Sequence, residues 1–274
     1  MLLYTLNPDL IHSAPVSGIG SFSYSETENN DFLSRFQFTL RSDHQNNSLP
    51  QQIDQFLYKE ENSQDDFRHY SKTRSSKSSS DTIELETGII FFDKLFVYGK
   101  AGFGRFKADL MILDESITGL YTSPTLFEVS DDTMLTYGGG LSFKIFQKEI
   151  KSIFKYLNVH LDLQYKRFSI DSGTTGTNKL SYEAELDEIQ AAVIATGSTD
   201  WIKVFLGPRV SSITGDEKLN VKQWDFFYED KIKTAKNIGW VFGISLFKND
   251  KYSVSMQKRT GDEEGVSFEA QINF

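Results

Sequence analysis

Four histidines, His12, His44, His69 and His160, are scattered along the chain without the spacing a metal site needs. There is no cysteine, which removes thiol chemistry and disulfides. His160 and Asp162 share one face of an alternating stretch, where a carboxylate could orient an imidazole for proton transfer, but no serine stands beside them to be activated. Asp65-Asp66 with His69, and Asp131-Asp132, are further acid–base candidates set in polar connections. Asp262-Glu263-Glu264 could hold Ca²⁺ weakly, yet between Gly261 and Gly265 it reads more simply as a charged turn. Gly138-Gly139-Gly140 lies inside an alternating pattern, where glycine lets the backbone bend or be approached; it is not a phosphate loop. The expectation is therefore no enzyme, with no catalytic residue, metal or cofactor.

The remaining ionisable residues are organised by a period of two. In Val266–Phe274, Val266, Phe268, Ala270, Ile272 and Phe274 share one strand face, and Ser267, Glu269, Gln271 and Asn273 share the other. The alternation recurs at 34–41, 83–91, 95–104, 135–145, 159–166, 189–195, 201–210, 238–246 and 252–256. Arg35, Glu84, Glu86, Lys100, Lys144, His160, Asp162, Lys166, Glu188, Lys203, Arg209 and Glu269 all fall opposite the apolar stripes. Composition suits such elements: aromatics make up 14% of 274 residues, with 23 Phe and 12 Tyr. No run approaches the roughly 20 apolar residues of a membrane helix, and a net charge of -9 argues against nucleic acid as partner.

Connection lengths sort by side. If the last residue marks one side, the turns at 93–94, 197–200 and 248–250 fall there and are short. The connections 43–81, 112–132, 171–185, 213–236 and 258–264 fall on the other, and most are long and polar. A Greek-key sandwich has no reason to sort its loops so; a barrel crossing an outer membrane has short periplasmic turns and longer external loops. The expected fold is all-β: a single antiparallel up-and-down transmembrane β-barrel of about ten strands, or twelve if the first residues add a pair. Residues 1–32 are an N-terminal segment, an extra strand near 18–25 or a periplasmic lead-in, and 33–274 are the barrel, with 43–81 a long polar external loop. Met1–Leu6 lacks the features of a secretory signal, so the numbering is expected to be that of a mature or truncated chain. At 146–158, Ile150, Ile153, Phe154 and Leu157 have the spacing of one helix face. That predicts a short helix, packed under the mouth or touching the periplasmic leaflet.

In a barrel the apolar stripes face lipid. A Lys or Arg facing lipid near mid-membrane costs about 2–4 kcal/mol, so the charges opposite the stripes must point inward. The lumen or constriction candidates are Glu86, Lys100, Lys144, His160, Asp162, Lys166, Glu188, Lys203, Arg209 and Glu269. Phe96, Tyr98, Trp201 and Phe205 are expected inward as well, filling much of so narrow a lumen. Arg68, Lys72, Arg74 and Lys77, in a stretch without acidic residues, are candidates for contacting lipopolysaccharide phosphates; the alternative is a disordered, soluble loop.

The terminal Phe274 with its alternating run resembles the C-terminal assembly signal of bacterial outer-membrane β-barrel proteins. The strands "LFVYGKAGFG" (95–104), "TYGGGLSFKIF" (136–146), "LDLQY" (161–165), "VFLGPRV" (204–210) and "GWVFGISLF" (239–247) are similar to those of small porin-like barrels. The resemblance covers roughly 82–274 and implies a bacterial outer-membrane location, with membrane lipid, lipopolysaccharide and the barrel-assembly machinery as partners. It implies no substrate. A barrel phospholipase would place Ser and His two residues apart on one strand face, and His160 has no such serine; the motif of omptin-type proteases is also missing around the paired aspartates. The expected function is a narrow porin-like channel for ions or small solutes. The alternative is a closed structural or adhesive barrel acting through its external loops, and the third reading is an outer-membrane hydrolase.

Overall fold

The computed structural model describes residues 36–58, 68–92, 94–112, 125–150, 153–175, 180–221, 226–233, 237–248, 251–261 and 264–274. Its strands are β1 (Phe36–Tyr58), β2 (Arg68–Phe91), β3 (Leu95–Ile112), β4 (Thr125–Glu149), β5 (Tyr156–Thr175), β6 (Leu180–Ser198), β7 (Ile202–Val221), β8 (Phe226–Lys233), β9 (Asn237–Lys248), β10 (Tyr252–Thr260) and β11 (Glu264–Asn273). Sequence neighbours pair antiparallel, and β1 closes the ring on β11 from Gln37↔Asn273 to Asn46↔Glu264. β9 pairs with the Ile202–Ser211 part of β7 and β8 with its Thr214–Val221 part, so the two form one interrupted stave. Eleven strands thus make ten staves, a closed up-and-down barrel. Closure matters because an open edge would leave backbone N–H and C=O groups unpaired in lipid.

Alternation decides which side chains go in. On β4, Leu135, Tyr137, Leu141, Phe143 and Ile145 point outward and are exposed, while Met134, Thr136 and Ser142 are buried inside. Leu135 to Ile145 spans ten residues, or about 23 Å of height at 3.3 Å per residue and a 45° tilt. That matches the apolar band of an outer-membrane barrel. Above the band the polarity inverts. On β6, Ile189 and Val193 face out below, with Glu188 and Gln190 inside; higher up, Glu183 and Glu185 are exposed and Tyr182, Ala184 and Leu186 are buried. β7 repeats this, with Leu206 and Val210 outward below and Asp216 and Lys218 outward above, over buried Ile213. The wall therefore continues beyond the membrane as a tower with a polar skin and a packed inside, where aromatic and aliphatic side chains share the interior with buried Asp43, Asp131, Glu217 and Arg259. Where polarity changes, on a strand whose periodicity does not, the water begins.

Three expectations change. Backbone pairing of β1 with β2 runs out to Tyr58↔Arg68, so most of the 43–81 stretch is strand, and strands likewise occupy much of 112–132 (with Asp131 and Asp132 on β4), 171–185 and 213–236; apolar alternation alone ends these staves too soon. The helix at 146–158 gives way to strand. β4 continues to Glu149, which pairs with Tyr156, and the turn is confined to 150–155. Ile150, Ile153 and Phe154 fall on the connection and Leu157 on β5, so their spacing comes from a turn joining two strands and not from one helix face. Trp201 is not inward: it sits in the turn before β7 and is 62% exposed. Residues 1–32, and with them the strand near 18–25, lie outside the described residues.

Candidate functional site

The lumen is where the ionisable side chains converge. Arg41, from β1, lies between three carboxylates: Nε is 2.8 Å from Glu269 Oε1, Nη2 3.3 Å from Glu86 Oε2, and Nη1 3.8 Å from Glu84 Oε2. Glu84 also meets Lys166, which reaches it across the lumen from β5, and accepts a hydrogen bond from Thr136 Oγ1 at 3.1 Å. Lys100 Nζ donates to Gln164 Oε1 at 2.6 Å, and Tyr98 Oη to Asp162 Oδ1 at 3.3 Å. Gln257 Nε2 and Ser255 Oγ, from β10, donate to the two oxygens of Glu269. Higher up, Arg259 Nη2 donates to Asp43 Oδ1 at 2.6 Å, and Gly265 leaves room for that guanidinium, since a Cβ there would lie 2.9 Å from Arg259 Cζ.

Burial decides what this arrangement can do. Arg41, Glu84, Glu86, Lys166, Glu188, Gln190, Arg209 and Arg259 are each exposed by 1% or less. A group with no accessible surface has no void beside it large enough for a water molecule. Charges of both signs from nearly every stave meet here, so the middle of the lumen is occupied by paired side chains. Toward the periplasm, Phe96 stacks on Tyr98 with ring centroids 5.3 Å apart. In the tower, Phe106 on β3 stacks on Tyr182 on β6 at 6.2 Å, beside buried Phe168, Ile170, Leu186 and Ile213. Phe96 and Tyr98 are neighbours on one face of β3, whereas Phe106 and Tyr182 come from staves three apart, so side chains of separate parts of the wall meet in the tower.

Of the ten lumen candidates eight are buried, Glu269 is 9% exposed, and Lys144 is half-buried, its ammonium donating to Gln147 in an exposed position. Glu86, Lys166 and Glu269 join the network around Arg41, directly or through Glu84, while Lys100 donates to Gln164 and Asp162 receives the Tyr98 hydroxyl. His160 is buried beside Lys144 in the ladder, Lys203 lies over the Phe247 ring at 5.2 Å, and Glu188 is Lys166's neighbour across β5 and β6. Sequence reasoning missed Arg41, Asp43 and Arg259 as network members because two of them fall in or beside stretches read as loops. Continued alternation past Ser42 and back from Gln257 was the available signal. It also missed an exterior couple: His44 Nδ1 lies 2.6 Å from Asp81 Oδ1, with Asn46 Nδ2 3.1 Å from the other ring nitrogen. Arg68, Lys72, Arg74 and Lys77 all lie on β2.

Outside, paired charges ring the barrel just above the apolar band, with Arg105 against Asp132 and Arg167 against Glu185 and Asp187. At the periplasmic rim Lys155 Nζ donates to Asp200 Oδ1 at 3.0 Å. That hydrogen bond and charge hold Lys155 above the ordinary lysine range. A closed barrel with a 23 Å-scale lipid-facing band and a charged interior is a bacterial outer-membrane β-barrel.

No protein-family model and no curated protein matches the sequence. Among solved structures the chain is similar to the transport unit of the autotransporter AIDA-I from Escherichia coli (10% identity, 93% of this chain and 94% of that one, TM-score 0.43). It is similar also to the translocator domain of autotransporter NalP from Neisseria meningitidis (8%, 89% and 89%, 0.40). A third is an outer membrane channel from Pseudomonas putida F1 (11%, 91% and 100%, 0.39). Likeness of that degree assigns neither a family nor a role.

Proposed function

We propose that this protein is a closed outer-membrane barrel, a structural platform that carries its external hairpins above the membrane and passes no solute. The observation that supports this is the Arg41–Glu84–Lys166 bridge with Glu86 and Glu269, which spans the lumen with no accessible surface. Ions crossing would have to displace paired, buried charges, each costing several kcal/mol to expose or strand. The packed interior of the tower, with the Phe106–Tyr182 stack, adds a second obstruction in series. A channel would instead leave inward charges wetted, as in wide barrels.

The staves fit a platform. β1 to β7 run 18–25 residues, well beyond the roughly 9–11 that a tilted crossing uses, so about half of their length serves the outside. Purified protein in planar bilayers tests the proposal: no conductance steps are expected at any voltage the membrane survives. Reproducible unitary steps that vanish with heat-denatured protein would overturn it and favour the narrow channel.

A further inference from the structure

At the periplasmic rim two neighbouring turns, 150–155 and 199–201, present large apolar side chains to the surroundings. Ile153 is 86% exposed and Trp201 62%, and Phe146, where the band ends on β4, is also exposed. The turns are fastened to each other: Lys155 N donates to Ser198 O at 2.8 Å, its ammonium donates to Asp200, and the Phe154 ring packs over Gly197, where a Cβ would lie 2.9 Å from Cγ. Exposed Lys148 and Lys155 flank Ile153, and Lys94, Lys248 and Lys251 are exposed on other turns of the same rim, five lysines against the exposed acidic side chains Glu149 and Asp200 among the described residues there. The chain as a whole carries -9, so a basic edge here is a local departure.

We infer that these two turns form a foot that binds anionic phospholipid headgroups of the periplasmic leaflet. Ile153 and Trp201 continue the lipid-facing band directly, so they lie where acyl chains meet headgroups, the depth at which tryptophan partitions. Lysines on the same turns then reach the phosphate layer with their stems along apolar surface. A carbohydrate polymer beneath the membrane would use the lysines but leave Ile153 and Trp201 in water. The apolar exposure therefore selects lipid, and the lysines select its charge. The inference needs only the membrane position of the barrel; an open or a shut lumen serves it equally.

The test uses W224F/W240F protein, in which Trp201 is the sole tryptophan, reconstituted into phosphatidylcholine vesicles containing phosphatidylglycerol. Brominated lipid quenches a nearby indole. With bromine on the phosphatidylglycerol, quenching of Trp201 should exceed that with the same mole fraction of brominated phosphatidylcholine. K148Q/K155Q should remove the difference, K148R/K155R should keep it, and half-molar salt should shrink it. Each lysine near an anionic surface is worth about fivefold in local lipid preference, so the paired loss is large enough to read. Equal quenching by the two lipids would overturn the selectivity. Absence of quenching by either, with the protein sedimenting on purified peptidoglycan, would overturn the lipid foot itself. Heat-modifiable gel migration checks that each variant is folded, and where the glutamine pair fails to fold the salt and headgroup comparisons decide alone.

Discussion

Replacing Arg41 with methionine removes the cation shared by Glu84, Glu86 and Glu269 while keeping much of the side-chain volume. The wild-type contacts are at 2.8, 3.3 and 3.8 Å with every partner nearly or fully buried. Breaking one buried ion pair from one side costs about 3–5 kcal/mol, because the remaining charge has lost its counter-charge in a place water does not reach. Lys166 still holds Glu84, so the loss falls mainly on Glu86 and Glu269, and Arg41→Met should cost about 3–5 kcal/mol. That is a large share of a typical 5–15 kcal/mol. Urea unfolding in lipid vesicles, followed by tryptophan emission, should show a lower midpoint at unchanged slope. The double variant R41M/E269Q should recover part of the loss, since it also removes one stranded charge, and the non-additivity measures the coupling. A loss below about 1 kcal/mol for Arg41→Met, the range of an exposed pair, would refute the claim that this network is dry and structural, and the closed-lumen proposal would fall with it.

Depth should govern what a new charge does on the outer face: Leu141→Arg, mid-band, should cost about 2–4 kcal/mol, and Thr214→Arg, on the tower, under about 0.5, both read by the same unfolding assay. Gly140→Ala places a Cβ against the Leu163 carbonyl oxygen and 2.7 Å from Tyr98 Cζ, so overpacking should cost about 1–3 kcal/mol by pushing β4 off β5 and the Tyr98 ring aside, seen as a lower urea midpoint. Deleting Phe274 removes an edge-to-face contact with Phe38 at 5.6 Å and the bond from its N–H to Phe36 O at 3.1 Å. The folded barrel should lose only about 1–2 kcal/mol while surface levels fall much further; normal surface levels would count against an assembly role. Because Lys155 is held above its usual range, its clamp to Asp200 is complete at neutral pH and is lost only as pH rises through the folded value; a Trp201 emission titration in the single-tryptophan protein should place that step above the range of an ordinary peptide lysine, and K155Q should lack the step.

Much of the barrel was legible because one period governs it. Val266–Phe274 states the rule in nine residues, and the same rule repeated through 95–104 and 238–246 gives the ten staves, their sidedness and the inward charges. The rule misleads where a bulge or a change of solvent intervenes. At Lys144–Phe146 the bulge shifts the phase of the strand, and apolar residues on the turn, Ile150, Ile153 and Phe154, imitate a helix by chance of spacing. Beyond Ser42 the outward residues become polar because they face water, and a search for apolar stripes stops there although the ladder goes on. Which interior charges meet was not legible at all: Lys166 and Glu84 are brought together across the lumen by barrel diameter and stagger, neither of which is written in any one strand.

The inversion of polarity along the staves also sets the barrel's vertical position. Sliding it by two residues along its strands moves it about 5 Å. Inward, that would carry Asp187 and Arg167 into hydrocarbon, at up to about 2–4 kcal/mol for the arginine; outward, it would lift Leu135 and Tyr137 out toward the external headgroups and draw Lys148 and Lys155 from the periplasmic rim toward hydrocarbon. Both directions are uphill on every stave at once, so the wells add. The molecule behaves as a rivet, held at one depth. Any message it carries across the membrane cannot be a piston stroke; it would have to be a change of shape or of company at one end alone.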